Sequence, residues 1–458
     1  MLKRSNHAVH RHLNPHPEAP LMKTSAIRLA TAAAAVALAL TACSSGLGGS
    51  NASSGSGSGG GSKTLTLLVG NDAATVKSAQ EVVDAFKKAN PGVTVKTETR
   101  PGGSDGDNIV KTKLSTGEMQ DVFWYNSGSL LQALNPSQTL VDLTNDPAVA
   151  NVDPSFFPVV SQGDKVYGAP FGTAFGGGIL YNKDVYAKLG LQIPKTWNDF
   201  LANADKIKAA GITPVIETFK DTWTSQLFVL GDYYNLQTAN PNFAKDYTAN
   251  KVKYATDPNA VKGFQKLQEV KSKGYVNDNY GSATQAQGMK LLAQGKGAMY
   301  PMLSVAVGLV TADQAKKIGF FGIPGDDAAK AGATVWEPGG AYIPKTSKNV
   351  DLAKKFLAFM NTKAGTDAFS VGTPPTGPYL VKGFTLPASA PPVAADLQNY
   401  INNKAFSPAL EFLSPVKGPS LEQICVAVGT GQTAPQQGAA QYDQDVVKEA
   451  KQLGLPGW

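Results

Sequence analysis

Outside its first 42 residues, the sequence contains no histidine and very little cysteine or arginine. All four histidines lie between His7 and His16, Arg100 is the one arginine after residue 42, and the two cysteines are Cys43 and Cys425. Without histidine, the chain after residue 42 cannot build Ser-His-Asp or Cys-His catalysis, and it lacks the His and clustered Cys ligands of structural zinc sites. With one arginine it is poorly equipped to grip carboxylate or phosphate ligands, so the composition favours a neutral ligand that bears hydroxyl groups.

The residues that precede Cys43 have the pattern of an export signal. Lys23 and Arg28 come before an apolar run over residues 29–40, which is shorter than the roughly 20 residues that a membrane-spanning helix needs. Leu40-Thr41-Ala42-Cys43 resembles the lipobox of bacterial lipoproteins, in which the cysteine is acylated and becomes the new N-terminus. We therefore expect Cys43 to carry a lipid; an ordinary cleaved signal beside a chance cysteine is the alternative.

Cleavage before Cys43 would leave a chain of nearly neutral charge on a tether. Residues 1–42 are expected to be the signal peptide, starting at Met1 or Met22, and residues 43–63 a lipidated Gly/Ser tether. After residue 42 the chain has 37 Lys and Arg against 34 Asp and Glu, a net charge of +3 instead of +7. That small excess, without a basic stripe interleaved with aromatic residues, argues against nucleic acid as a partner.

The residues after the tether alternate between strand and helix patterns. Strand patterns occupy residues 64–69, 93–95 and 121–125, and helical patterns occupy residues 76–86 and 108–116. This order predicts a parallel sheet with helices on both faces. Ligands of such sheets gather beyond the carboxyl ends of the strands.

Short motifs follow one another along the rest of the chain in a fixed order. They are Gly168-Ala169-Pro170-Phe171, Leu180-Tyr181-Asn182-Lys183-Asp184, Pro194-Lys195-Thr196-Trp197-Asn198-Asp199-Phe200, Gly295-Lys296-Gly297-Ala298-Met299, Gly339-Gly340-Ala341-Tyr342-Ile343 and Thr362-Lys363-Ala364-Gly365. Each motif alone is weak. As an ordered set with a lipobox, they resemble the extracellular solute-binding proteins (family 1) of carbohydrate ABC transporters, whose best-known member is the maltose-binding protein.

The resemblance implies an α/β, periplasmic-binding-protein-like fold. Two lobes, each with a mostly parallel sheet flanked by helices, would be joined by three crossovers at a hinge, with the ligand cleft between the lobes. The expected divisions are residues 64–169 and 326–360 for lobe 1, residues 176–320 and 366–458 for lobe 2, and residues 170–175, 321–325 and 361–365 for the crossovers.

The resemblance also implies a function. The chain would be a lipid-anchored, extracytoplasmic, non-enzymatic component of an ABC importer, monomeric and without cofactor or metal. It would capture a sugar or oligosaccharide by hinge closure and deliver it to the permease subunits. A surface glycoside hydrolase, which needs only two carboxylates, and a peptide-binding lipoprotein remain alternatives at this stage.

A sugar ring needs flat aromatic surfaces against its C–H faces and carboxylates or amides around its hydroxyl rim. The family pattern implies that Trp124, Trp223 and Trp336 supply those surfaces, whereas Trp197 packs against the helix that it begins. The other expected ligand-binding residues lie at strand ends or beside these tryptophans: Asn71, Asp72, Arg100, Asp105, Asp107, Asn126, Ser127, Phe171, Phe175, Asp221, Glu337, Gly339 and Gly340.

Overall fold

The computed structural model describes residues 63–458 of the chain. The expected signal peptide at residues 1–42, the lipid site at Cys43 and residues 44–62 of the tether lie outside the described residues. Among the described helices, none is both long enough and apolar enough to cross a membrane.

The strands of the described residues form two main sheets and one small hairpin. In chain order they are β1 Thr64–Gly70, β2 Thr94–Arg100, β3 Val122–Tyr125, β4 Ser161–Gln162, β5 Lys165–Val166, β6 Gly168–Pro170, β7 Phe175–Asn182, β8 Thr213–Val215, β9 Gly297–Leu303, β10 Ile318–Phe321, β11 Ala333–Trp336, β12 Gly340–Tyr342 and β13 Phe406–Pro408.

The α-helices of the same region alternate with these strands or follow them along the chain. They are α1 Ala73–Ala89, α2 Gly103–Thr116, α3 Ser129–Gln132, α4 Pro136–Thr139, α5 Lys183–Lys188, α6 Trp197–Ala209, α7 Leu227–Gly231, α8 Tyr233–Ala239, α9 Phe243–Thr248, α10 Lys262–Ser272, α11 Gln285–Ala293, α12 Ala312–Ala315, α13 Val350–Met360, α14 Lys363–Gly372, α15 Pro392–Asn402, α16 Leu410–Leu413, α17 Leu421–Gly429 and α18 Pro435–Gln452. Short 3₁₀ turns occupy Pro147–Val149, Pro154–Val160, Thr222–Gln226, Ser304–Leu309 and Ala328–Lys330.

Helix α1 follows from local sequence. Asp72 caps its N-terminus by accepting a hydrogen bond of 2.9 Å from the backbone N–H of Thr75. Asn90 ends it, because the next two residues, Pro91 and Gly92, disfavour further helix. The residues that α1 buries are Ser78, Ala79, Val82, Val83 and Phe86. Val76, which the apolar spacing groups with them, is 40% exposed.

The first sheet has the strand order β2-β1-β3-β12-β6. The neighbours β2, β1 and β3 run parallel, as the sequence predicts, so Gly70, Arg100 and Tyr125 end at one edge. Strands β12 and β6 are antiparallel to their neighbours. Residues of α1, α13 and β3 share one apolar core on this sheet, and Val110 of α2 belongs to a second core with Phe123.

The second sheet has the order β13-β11-β7-β9-β8, with β10 also paired to β7. The long central strand β7 is antiparallel to β9, β10 and β11, whereas the pairs β8–β9 and β11–β13 are parallel. Both sheets are therefore mixed, which corrects the expectation that each lobe has a mostly parallel sheet. The reason is that β6, β7, β11 and β12 lead from one sheet to the other and do not close βαβ units, so the parallel rule does not govern them.

The structure also moves two of the expected crossovers. Strand β11 pairs with β7, through Trp336 opposite Phe175, and thus belongs to the second sheet and not to lobe 1. The next strand, β12, pairs with β3 of the first sheet, so the chain passes between the sheets at residues 337–339 and not at residues 321–325. Long-range strand pairing decides this boundary, and no local motif marks it.

A similar correction applies to the third crossover, expected at residues 361–365. Helix α14 packs on α1 of the first sheet, where Ser78 Oγ donates a hydrogen bond of 2.8 Å to the carbonyl oxygen of Phe369. Helix α15 lies on the second sheet, where the backbone N–H of Phe320 donates to a carboxylate oxygen of Asp396 at 2.9 Å. The passage between the sheets therefore lies after α14 and before α15.

Candidate ligand-binding site

The carboxyl edge of the first sheet carries a buried cation. Arg100, at the end of β2, donates from Nη2 to the carbonyl oxygen of Trp124 at 3.3 Å and from Nη1 to that of Pro101 at 3.0 Å. Its guanidinium carbon lies 5.2 Å from the centre of the Tyr125 ring, a cation–π distance. Burial lowers the pKa of Arg100, and the guanidinium stays charged because its ordinary pKa is so high.

An acid of helix α2 faces this cation. Burial raises the pKa of the Asp107 carboxyl, and the phenol of Tyr125 and the charges of Arg100 and Lys417 oppose that rise. Burial also raises the pKa of the Tyr125 phenol, and the neighbouring Asp107 raises it further. Arg100, Asp107 and Tyr125 thus form one electrostatic group, in which Arg100 and Asp107 are expected site residues and Tyr125 is not.

Three aromatic rings pack together in the core that the first sheet shares with α1 and α13. The ring centre of Trp124 lies 4.8 Å from that of Phe171 and 5.8 Å from that of Phe369, and the two phenylalanine rings are 5.2 Å apart. Trp124 is 4% exposed, and its indole Nε1 is buried without a hydrogen-bond partner among the described residues. Phe369, on α14, is a member that no sequence motif indicated.

Trp336 ends strand β11 and lies in the core of the second sheet. Its indole Nε1 donates to Oε1 of Glu411 at 2.5 Å, and its ring covers Gly177, where an added Cβ would lie 1.9 Å from the ring. Phe175, its strand partner, is half-buried against the same core. The structure therefore gives Trp336 a packing role, and its expected contact with a ligand stays a prediction.

Trp223 differs from these residues because its side chain is only partly buried. Its indole lies against the N-terminal end of helix α2, where a Cβ added to Gly102 would be 3.8 Å from the ring. Nearby, Oδ2 of Asp221 accepts a hydrogen bond of 2.6 Å from the backbone N–H of Gln285, at the N-terminus of α11. Trp223 is thus the tryptophan of the expected three with the most accessible ring, and Asp221 acts as a helix cap.

The connection from the second sheet back to the first carries an unpaired acid. Glu337 follows β11, and burial raises its pKa to about 7. Its Oε2 is buried without a hydrogen-bond partner among the described residues. Ser127 Oγ anchors the same connection by donating to the carbonyl oxygen of Pro338 at 2.7 Å. At Gly339 an added Cβ would lie 2.8 Å from the carbonyl oxygen of Tyr125, so glycine permits this close approach.

The remaining expected site residues are exposed or serve the backbone. Asp72 caps α1, and Asn71, Asp105 and Asn126 are exposed. Gly340 pairs with Tyr125 across the first sheet. Among the described residues, no group of three or more His, Cys, Asp or Glu side chains is placed to hold a metal ion.

Comparisons with known proteins identify the family of the chain. The sequence profile of the family described as bacterial extracellular solute-binding protein matches residues 71–367. The chain is 26% identical over 300 residues to a multiple sugar-binding protein of Streptococcus mutans, a stretch that covers 63% of this chain and 68% of that protein.

Solved structures share the fold. A chitin oligosaccharide binding protein aligns with a TM-score of 0.72 at 18% identity, over 85% of this chain and 100% of that chain. The binding protein RafE in complex with raffinose aligns with a TM-score of 0.68 at 24% identity, over 85% of this chain and 99% of that chain. These likenesses confirm the expected two-lobed, periplasmic-binding-protein-like α/β fold.

Proposed function

Since this chain belongs to the bacterial extracellular solute-binding protein family, we propose that it captures a sugar or oligosaccharide for an ABC importer. The ligand would lie between the two lobes, and their closure around it would present the complex to the permease subunits. The protein would act outside the cytoplasm, held at the membrane by a lipid on Cys43, and it would release its ligand chemically unchanged.

The observation that carries this proposal is that two buried polar atoms have no hydrogen-bond partner among the described residues, one on Trp124 of the first sheet and one on Glu337 of the connection between the sheets. Trp124 Nε1 can only donate a hydrogen bond, and Glu337 Oε2 can accept one or, when protonated, donate one. The Trp124 ring lies beside that of Phe171, and Glu337 lies on the connection between the sheets. Hydroxyl groups of a neutral sugar satisfy such atoms without adding a charge, and its C–H faces suit the aromatic surface.

The sheet pairings support a division into lobes that we adopt here. One lobe would comprise residues 64–170 with residues 340–372, and the other residues 175–336 with residues 392–458. The segments between them would be the three hinge connections. The names of these relatives, a multiple sugar-binding protein and a raffinose complex, support a sugar as the ligand class.

A thermal-shift screen tests the proposal. The purified chain is heated with raffinose, stachyose and chitin oligosaccharides, and with a tripeptide as the control ligand. A bound sugar at 100 times its dissociation constant stabilises the folded chain by about 2.7 kcal/mol, which raises the melting temperature. Mass spectrometry of each sugar after incubation should show it intact. Stabilisation by the peptide alone, or sugar cleavage, would contradict the proposal.

A further inference from the structure

Helix α2 begins without a cap of its own. Its N-cap residue is Gly102, which has no side chain to accept a hydrogen bond from the first turn. The first N–H groups of a helix need an acceptor, and the partial positive charge there favours an anion. Here the acceptor comes from far along the sequence, because the backbone N–H of Ser104 donates to Oε1 of Glu422 at 2.7 Å.

The two ends of this contact belong to different lobes of the proposed division. Val110 of α2 packs with Leu68 and Phe123 in a core of the first sheet. Glu422 lies on α17, whose Cys425 and Val428 pack in the core of the second sheet. A hydrogen bond between Ser104 and Glu422 therefore joins two bodies that each have a core of their own.

Residues of the second-sheet body hold Glu422 in position for this contact. Its Oε2 accepts a hydrogen bond of 2.8 Å from Thr222 Oγ1, and its backbone carbonyl accepts one of 2.9 Å from Ser225 Oγ. The residue is 4% exposed. The carboxylate orientation is thus set by the second-sheet body, so little side-chain entropy is lost when it meets Ser104.

The sequence of α2 allows the carboxylate to come close. Gly103 has φ +67°, a conformation that favours glycine, and an added Cβ would lie 2.9 Å from Oε2 of Glu422. Next to it, Gln423 Nε2 donates to Ser104 Oγ at 2.9 Å. The positive φ of Gly103 and the hydrogen bonds of Ser104 to Glu422 and Gln423 thus occur together, so the two surfaces are complementary at this point.

We propose that the carboxylate of Glu422 on the N–H of Ser104 is a latch that stabilises the closed arrangement of the two lobes. This inference rests on the proposed function, since it assumes that the lobes open and close. A contact made in one arrangement and lost in the other shifts the equilibrium toward the first. Ligand that binds the closed arrangement then binds more tightly, because less of its binding free energy is used for closure.

Small-angle X-ray scattering of the mature chain without added sugar tests the latch directly. Glu422→Ala removes both oxygens, and Glu422→Gln keeps the shape but removes the charge. Both variants should have a larger radius of gyration than the wild type, with Glu422→Ala the larger. The second variant covers the case in which Glu422→Ala does not fold.

Asp443→Asn is the matched control. The Asp443 carboxylate accepts two backbone hydrogen bonds of 2.8 Å, from Tyr254 and Ala255, all within the second-sheet body. Its loss should lower the melting temperature and leave the radius of gyration unchanged. If Glu422→Gln has the same radius of gyration as the wild type, the latch proposal is wrong. This result does not depend on whether any sugar binds.

Titration with raffinose gives a second readout. Loss of a hydrogen bond to a charged group should weaken raffinose binding by roughly 10-fold to 100-fold in Glu422→Ala. Asp443→Asn should bind raffinose as the wild type does. Equal affinity of Glu422→Ala and the wild type for raffinose would overturn the latch. If raffinose binds none of the three proteins, that failure concerns the proposed ligand, and the scattering result decides the latch.

Discussion

Trp336 and Glu411 form a buried hydrogen bond in which the indole Nε1 donates to the carboxylate at 2.5 Å. Trp336 is 6% and Glu411 8% exposed. The other carboxylate oxygen of Glu411 lies 3.5 Å from Nζ of Lys417. The ring of Trp336 is thereby fixed between strand β7 and helix α16, and its packing stabilises the second-sheet core.

Replacing Trp336 by alanine should therefore destabilise the fold. We expect the free energy of unfolding to fall by about 3–5 kcal/mol, as for other large core aromatics, measured by urea denaturation. Trp336→Phe keeps an aromatic ring and loses the N–H donor, so its free energy of unfolding should fall by less than that of Trp336→Ala. A Trp336→Ala variant as stable as the wild type would show that the ring is not a core residue.

The ion pair of Lys266 and Asp232 lies deep in the second-sheet lobe. Nζ and Oδ1 are 2.5 Å apart, both side chains are 5% exposed, and Lys266 also donates to the carbonyl oxygen of Pro324 at 2.8 Å. Lys266→Met leaves the Asp232 carboxylate buried without its partner. We expect a loss of about 3–5 kcal/mol in the free energy of unfolding.

The exposed pair of Lys316 and Asp313 is the control for this experiment. Its atoms are 2.9 Å apart, but the side chains are 72% and 90% exposed. Lys316→Met should change stability by no more than about 0.5 kcal/mol. The double variant Lys266→Met, Asp232→Asn should be more stable than Lys266→Met alone. Equal losses for Lys266→Met and Lys316→Met would refute a role of burial.

Glu337 should make stability depend on pH near neutrality. Burial raises its pKa to about 7 in the folded chain, above the ordinary value of 4.5. A raised pKa means that the folded state binds the proton more tightly than the unfolded state. The stabilisation is fully present below about pH 4.5 and is lost as pH rises through about 7, by an amount on the order of 3 kcal/mol.

Glu337→Gln isolates this contribution. We expect the free energy of unfolding of the wild type, relative to the variant, to decline between about pH 5 and about pH 8. Chemical denaturation of both proteins across that range measures the difference. Other buried acids, such as Glu217, titrate in both proteins and cancel. Parallel pH profiles would mean that Glu337 is not buried as the structure has it.

Lipid attachment at Cys43 remains a prediction, because it rests on the sequence pattern Leu40–Cys43. Cys43→Ala should block acylation and leave the protein unattached to membranes. Mass spectrometry of the membrane fraction detects the modified N-terminal residue in the wild type. Recovery of wild-type protein with a free Cys43 thiol would refute the anchor, and Cys425→Ala is the control, since that buried thiol is far from the signal.

Local patterns predicted the parts of the fold that local interactions specify. The sequence predicts strand β1, helix α1 and strand β3 because their apolar periodicity, and the turn residues after α1, can be recognised from a few neighbouring residues. The same reasoning predicted that the parallel strands end at one edge, as Gly70, Arg100 and Tyr125 do, but it did not predict the electrostatic group of Arg100, Asp107 and Tyr125.

The rest depends on pairing between distant residues. Strand β11 belongs to the second sheet only because it pairs with β7, which lies more than 150 residues earlier in the sequence. Phe369 joins Trp124 because α14 packs on α1, and Glu422 meets Ser104 across 318 residues. Nothing in the neighbouring sequence of Phe369 or Glu422 distinguishes them from ordinary helix residues.

Among the three expected aromatic platforms, Trp223 has the most accessible ring. It is partly buried and lies beside Gly102 at the junction of α2 with the second-sheet lobe. Trp197 is its matched control: it is 8% exposed, stacks on Phe200 at 4.6 Å, and donates from Nε1 to Glu269 at 2.7 Å. Substitution of each tryptophan in turn should therefore distinguish an effect on sugar binding from an effect on stability.

For Trp223→Ala we expect little change in the free energy of unfolding but a weaker affinity for the best sugar of the thermal-shift screen. Loss of apolar contact worth about 1.5–3 kcal/mol corresponds to a decrease of roughly 10-fold to 100-fold. For Trp197→Ala we expect the reverse, a loss of about 3–5 kcal/mol in stability with near-normal affinity below its melting temperature. Calorimetric titration and urea denaturation of both variants measure the two quantities. If Trp223→Ala unfolds early yet binds normally, its ring belongs to the core and the sugar contacts other residues.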